Sequence, residues 1–153
     1  MRRWEIERVT ESDVVLAAGH LFDSAPTLAW SQAFLAAPGH HLLMAFEGDR
    51  AVGMVTGVEM TMPDKGTEMF LYELAVADDA QGKGIGTALA RALADLAIQL
   101  GCYDMWVLTD HDNLPALGAY RRSGAATTEP TTLLLWDFGS SQVDVEDPAD
   151  APA

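Results

Sequence analysis

Between Tyr72 and Leu89 the chain runs YELAVADDAQGKGIGTAL, an apolar stretch, a turn with glycine at 82, 84 and 86, and the start of an apolar helical stripe. Glycine lets the backbone turn tightly and approach a ligand, and the free N–H groups at a helix N-terminus carry partial positive charge. The stretch is therefore suited to a phosphate or pyrophosphate. A dinucleotide fingerprint would need glycine where Thr87 stands, and a P-loop would need Gly-Lys-Ser/Thr after a four-residue gap. The pattern present is Gln81-x-x-Gly84-x-Gly86. Two other side chains could move protons: Glu73 on the strand before this turn and Asp110 at the end of the next apolar strand. Asp110-His-Asp-Asn113 lacks the later glycine and bidentate glutamate of a calcium loop, so it reads as a turn with a helix cap and no metal is expected. His20, His40 and His41 stand at no metal-ligand spacing and read as loop or strand-edge residues.

The elements that must position these groups follow from periodicity. Trp4–Val9 reads as a short strand, followed by a helix to about Phe22 with Thr10 or Ser12 as N-cap. A second helix carries Leu28, Trp30, Ala33 and Phe34 and stops at Pro38-Gly39. His41–Phe46 and Ala51–Met60 read as a hairpin around Gly48-Asp49, and Glu68–Ala77 as the next strand. Gly84–Leu100 is the strongest helix, with Ile85, Leu89, Leu93, Leu96 and Leu100 on one stripe and Gly101 to end it. Tyr103–Thr109 reads as a strand, Asn113–Ser123 as a helix, Thr131–Phe138 as a last strand, and Ala125–Thr128 as one more strand at most. Side-chain alternation puts Glu73 on one face with Leu71. Together these elements predict an α/β domain over residues 1–138 with helices on both faces of its sheet.

Composition narrows the function classes. A chain of 153 residues fits one domain with one core. A formal net charge of −14 repels nucleic acid and anionic lipid and draws cations toward any acidic cleft. Residues 139–153, with Asp144, Glu146, Asp147 and Asp150 and interrupted by Pro148 and Pro152, read as a flexible, solvated acidic tail. The lone Cys102 permits no internal disulfide and reads as a small buried hydrophobe; with no signal-like or membrane-spanning run, a cytoplasmic location is expected.

The Gln81-x-x-Gly84-x-Gly86 turn after a Leu-Ala-Val strand resembles the pyrophosphate-binding motif of the Gcn5-related N-acetyltransferase (GNAT) family. Asn113-Leu-Pro-Ala-Leu-Gly-Ala-Tyr120 resembles that family's Asn-x-x-Ala…Tyr segment, with Ala125 replacing the usual aromatic after Gly124. The resemblance implies a GNAT fold, with a mixed, mostly antiparallel sheet of six or seven strands, about four helices, and acetyl-CoA as acyl donor. It implies that the main chain of Leu74, Ala75 and Val76 and the turn Gln81, Gly82, Lys83, Gly84, Ile85, Gly86 and Thr87 hold the coenzyme. Asn113 and Ala116 would meet the pantetheine arm, and Tyr120 would lie near the sulfur, where it can protonate the leaving thiolate. Glu73 or Asp110 would take the amine proton, and Glu73, Asp110, Asp112 and Asp137 would pair with a cationic amine. Within the family, EMFLYELAV, the strand end VLTD, PALGAY and LWD look most like the type I aminoglycoside 3-N-acetyltransferases. Polyamine or peptide acetylation, or non-catalytic acyl-CoA sensing, are the alternatives. The family often pairs edge strands into dimers, which leaves a homodimer open.

Overall fold

The computed structural model describes residues 3–139. In chain order the elements are β1 (Glu5–Arg8), α1 (Ser12–Ala17), a 3-10 turn (Gly19–Leu21), α2 (Leu28–Ala36), β2 (His40–Glu47), β3 (Arg50–Met62) and β4 (Gly66–Val76). A second 3-10 turn (Asp78–Ala80), α3 (Ile85–Gln99), β5 (Asp104–Trp106) and α4 (Leu114–Arg122) follow. One sheet runs β1-β2-β3-β4-β5, antiparallel throughout except that β5 lies parallel to β4. No helix among the described residues is long and apolar enough to cross a membrane.

Helices cover both faces, and β2 shows why its residues sort as they do. Alternation sends Leu43 and Ala45 into a cluster with Ile85, Leu89 and Leu93 of α3, while Leu42 and Met44 join Val15, Ala18 and Leu21 around α1. Close packing of α3 depends on Gly53 in β3: a Cβ there would stand 2.9 Å from both Ile85 and Leu89. His41 is buried between strands. It accepts from Arg8 Nη2 at Nδ1 (2.7 Å), which leaves Nε2–H to donate to Glu59 (2.8 Å) and ties β1, β2 and β3 together.

Several expectations need correction. The sheet has five strands among the described residues, not six or seven. Neither Ala125–Thr128 nor Thr131–Phe138 forms a strand. As a strand the Leu133–Trp136 run would turn apolar groups to both faces, and no described element covers either; these side chains are 73–80% exposed. β5 is Asp104–Trp106, shorter than Tyr103–Thr109, because its ladder with β4 ends at Phe70 and Trp106. The first helix stops at Ala17, where the Ala18 N–H is shared between Val14 and Val15 carbonyls, and continues only as the turn Gly19–Leu21. Its N-cap is Glu11, without a side-chain cap bond, rather than Thr10 or Ser12.

On α3 the buried stripe is Ile85, Leu89, Ala90, Leu93 and Ala97, and Leu100 is exposed beyond the helix end. Gly101, at φ +84°, closes that end: its N–H reaches the Ile98 carbonyl and Cys102 N–H the Ala97 carbonyl. Cys102 itself is only partly buried. Of the acidic tail, residues 140–153 lie outside the described residues.

Candidate active site

The site begins where β4 loses its neighbour. Phe70 stacks on Trp106 with ring centroids 4.3 Å apart, and beyond this pair β4 and β5 diverge. On its other side β4 stays paired: Glu73 N–H donates to Thr56 Oγ1 (3.0 Å) and Ala77 N–H to the Val52 carbonyl (2.9 Å). Backbone N–H groups alternate along a strand, so those of Leu74 and Val76 face the opening, while that of Ala75 faces β3.

A cleft of about 610 Å³ fills the opening, walled by Leu74 and Val76 of β4, the turn Gln81–Thr87, and Asn113, Pro115, Ala116, Ala119 and Tyr120. Gly82 and Gly84 sit at φ +75° and +82°, and a Cβ on either would meet nothing within 4 Å, so space stands open above the turn. Gly84 is the N-cap of α3, which presents the free N–H groups of the first turn. Gln81 Nε2 braces the turn on the Val76 carbonyl and Asp78. On the far wall Asn113 caps α4 by accepting from Ala116 N–H (3.3 Å), and Pro115 stands in the first turn, where a missing N–H costs nothing. Tyr120 is half-buried, and that burial pushes its phenol above the ordinary range.

Past Gly84 and Thr87 the cleft continues into a second hollow of about 670 Å³ whose lining includes Arg3, Lys83, Arg91 and Arg122, with Glu47 paired to Lys83 (3.4 Å). Four of the nine Lys and Arg residues of a chain with charge −14 thus gather beside the glycine turn. Arg122 Nε donates to Thr87 Oγ1 (3.3 Å) and Arg91 Nη2 to the Arg122 carbonyl (2.8 Å), which ties α3 to α4. These residues fit an anionic, elongated ligand: open glycine backbone and cations for phosphates, then an apolar slot leading to two free strand N–H groups.

Glu73 lies on the other side of β4, which corrects the expectation that it shares a face with Leu71. Thr56 pairs with Glu73 and Gly57 with Leu71, so Tyr72 is the extra residue of a β-bulge. The bulge reverses the alternation: Leu71 is buried toward α3, whereas Glu73 opens into a cavity of about 590 Å³ beside α2. Phe22, Asp23, Trp30, Phe34 and His40 line it too. Burial, and secondarily the charge of Asp23, push the Glu73 carboxyl above the usual carboxylate range.

The structure thus gathers most of the expected coenzyme residues on one cleft and separates others from it. Ala75 faces the α1 side of the sheet. Asp110 and Asp112 are exposed in the turn before α4, where their carbonyls accept from Asn113 and Leu114, and neither lines the cleft or the Glu73 cavity. Asp137 is exposed and accepts from Gly139 N–H, also away from both. Asp23, Trp30 and His40 are the residues that the sequence reading did not assemble with Glu73. Asp23 follows the first helix in sequence, and no local pattern joins it to a strand fifty residues on.

The family model for the acetyltransferase (GNAT) family matches residues 5–125. The chain is 30% identical over 139 residues to an L-2,4-diaminobutyric acid acetyltransferase of Nocardia farcinica, a match spanning 88% of this chain and 66% of that enzyme. It is 43% identical over 56 residues to a streptothricin acetyltransferase of Streptomyces lavendulae, spanning 37% of this chain and only 30% of that enzyme. Among solved structures, an aminoglycoside acetyltransferase from an uncultured soil metagenomic sample, in complex with sisomicin, aligns with TM-score 0.80 at 22% identity over 88% of this chain and 96% of that one. The aminoglycoside N-acetyltransferase AAC(6')-Iy in complex with CoA aligns with TM-score 0.74 at 17% identity over 87% and 94%. These two likenesses carry the fold, and the family match covers the strand, turn and helices that build the cleft: the chain belongs to the GNAT acetyltransferase family.

Proposed function

We propose that this chain transfers the acetyl group of acetyl-CoA to a primary amine of a polycationic small molecule, with the 3-amino group of an aminoglycoside as the leading acceptor. One observation carries the reading. Successive residues of β4 serve two cavities, Glu73 an acidic, aromatic one and Leu74 a slot that leads to a glycine turn ringed by cations.

Acetyl-CoA, when bound, supplies a thioester whose carbonyl carbon bonds to the amine nitrogen as the bond to the coenzyme sulfur breaks. The turn amides and Arg3, Lys83, Arg91 and Arg122 suit its phosphates, and the slot between β4 and α4, with Asn113 and Ala116, suits its pantetheine arm. The N–H groups of Leu74 and Val76 are placed to donate to developing negative charge on the acyl oxygen. Glu73, made more basic by burial, takes the proton that an ammonium must lose before it can attack. Asp110 has no such placement, which favours Glu73 between the two candidate bases. Tyr120 stays protonated throughout the neutral range and can donate to the departing sulfur.

Regiochemistry rests on the EMFLYELAV, VLTD and PALGAY wording alone, since one solved relative is named as a 6'-enzyme. A second reading, acetylation of a small diamine, is favoured by the diaminobutyric acid acetyltransferase, a relative whose match spans 88% of this chain and 66% of that enzyme. The test is thiol release from acetyl-CoA with gentamicin, 2,4-diaminobutyrate, spermidine and a short peptide, followed by NMR of the product. Fast release with gentamicin and a 3-N-acetyl product supports the leading reading. Preference for diaminobutyrate supports the second, preference for the peptide overturns both, and coenzyme binding without turnover of any of the four leaves the cofactor standing and rejects these acceptors.

A further inference from the structure

The Glu73 cavity holds more than a proton acceptor requires. Asp23, exposed at the start of the α2 approach, lines the same cavity as Glu73, and no lysine or arginine lines it with them. Neither carboxylate has an ion-pair partner among the described residues. Two like charges facing one solvent-accessible space repel each other, and the repulsion falls when cations enter. The remaining wall is aromatic: Trp30 is half-exposed, and Phe34 meets the His40 ring edge-on at 5.3 Å. The face of an exposed indole beside a carboxylate is a good environment for an ammonium, because it attracts the cation without supplying a competing donor.

Resting on the acetyl-transfer reading, we infer that Asp23, with the indole of Trp30 on the wall of the same cavity, holds a second ammonium of the acceptor and so makes this enzyme selective for substrates carrying two or more amines. One amine then lies at Glu73 and loses its proton there, while the other stays charged at the cavity mouth. The distance between the two carboxylates, fixed by the α1–α2 connection on one side and the β4 bulge on the other, sets the preferred amine spacing. Monoamines leave Asp23 unpaired and gain nothing from Trp30. His40 also lines the cavity, with its Nδ1 toward the Pro38 carbonyl (3.4 Å). Asp23 is a specificity residue in this account, not a catalytic one.

Calorimetric titration of the full chain with coenzyme A present, using a series of linear diamines and their monoamine counterparts, reads the inference without turnover. The wild type is expected to bind one diamine length at least tenfold more tightly than its monoamine. Asp23→Asn should collapse that ratio to within about twofold, and Trp30→Ala should reduce it severalfold, because a charge-assisted contact outweighs a cation–π contact. Asp23→Glu should keep the ratio but move the preferred diamine to a shorter length. With acetyl-CoA, Asp23→Asn should act on the KM for diamine and leave the KM for acetyl-CoA where it was. A wild type that does not distinguish diamine from monoamine, or an Asp23→Asn variant that retains the ratio, overturns the inference. Selective diamine binding with no acetylation of any amine would overturn the acetyl-transfer reading instead and leave the subsite standing.

Discussion

The proposed coenzyme cleft and the proposed acceptor cavity lie on opposite sides of β4, and they are made of different materials. The cleft takes much of its character from main chain: two left-handed glycines, the free N–H groups of α3, and strand amides uncovered where β5 diverges, with Arg and Lys side chains added beside the turn. The cavity is built from side chains contributed by the α1–α2 connection, α2, β2 and β4. A backbone-built site recognises what every acyl-CoA shares, phosphates and an extended arm. A side-chain-built site can change its acceptor by changing a few residues without disturbing the fold. The division is also electrostatic, with cations at one end and unpaired carboxylates at the other.

The largest effect should come from placing a side chain on the backbone-built site. Gly84→Asp imposes a left-handed conformation that costs ~1–2 kcal/mol and adds an anion against phosphate, so coenzyme A affinity should fall by roughly a thousandfold. Far-UV circular dichroism should stay unchanged, since a Cβ at Gly84 meets no neighbour. Coenzyme A affinity within tenfold of wild type would remove the phosphate-loop assignment. On the acceptor side, Glu73→Gln should lower kcat by about a hundredfold, in the range that a positioned general base contributes, with coenzyme affinity intact. Equal losses on both sides would break the division between the cavities.

Smaller effects sharpen it. Tyr120→Phe should slow turnover less than tenfold, because a thiolate with a pKa near ~8.5 leaves well unaided and a phenol raised by burial is a weak acid. A loss beyond a hundredfold would make Tyr120 an obligatory acid. Asp110→Asn should change kcat and both KM values by less than about twofold, as expected for an exposed charge outside both cavities. A tenfold rise in the amine KM would place Asp110 at the substrate after all.

The same contrast explains what could be read in advance. The glycine turn, α3 and the Asn113 cap were legible because each is specified locally, by glycine where φ is positive and by a cap residue three positions before its donor. Glu73 was identifiable as a residue but not as to where it points, because Tyr72 looks like any other strand residue until its partner strand reveals the bulge. Asp23 and Trp30 join Glu73 only through the packing of α2 on the sheet. β5 and the Thr131–Phe138 run failed for a related reason. A strand pattern states readiness to pair, and pairing depends on a neighbour that the pattern does not contain.

The account stands most directly on Glu73, and the dependence of kcat on pH tests it. Burial and the charge of Asp23 raise the Glu73 carboxyl, so its base form should be lost as pH falls through a value above the ordinary ~4.3 of a glutamate. The wild type should therefore lose turnover on an acidic limb displaced upward, and Glu73→Gln should show lower turnover with that limb gone. A Glu73→Gln variant that keeps both the limb and wild-type turnover would contradict the assignment of the acceptor cavity and of the base within it.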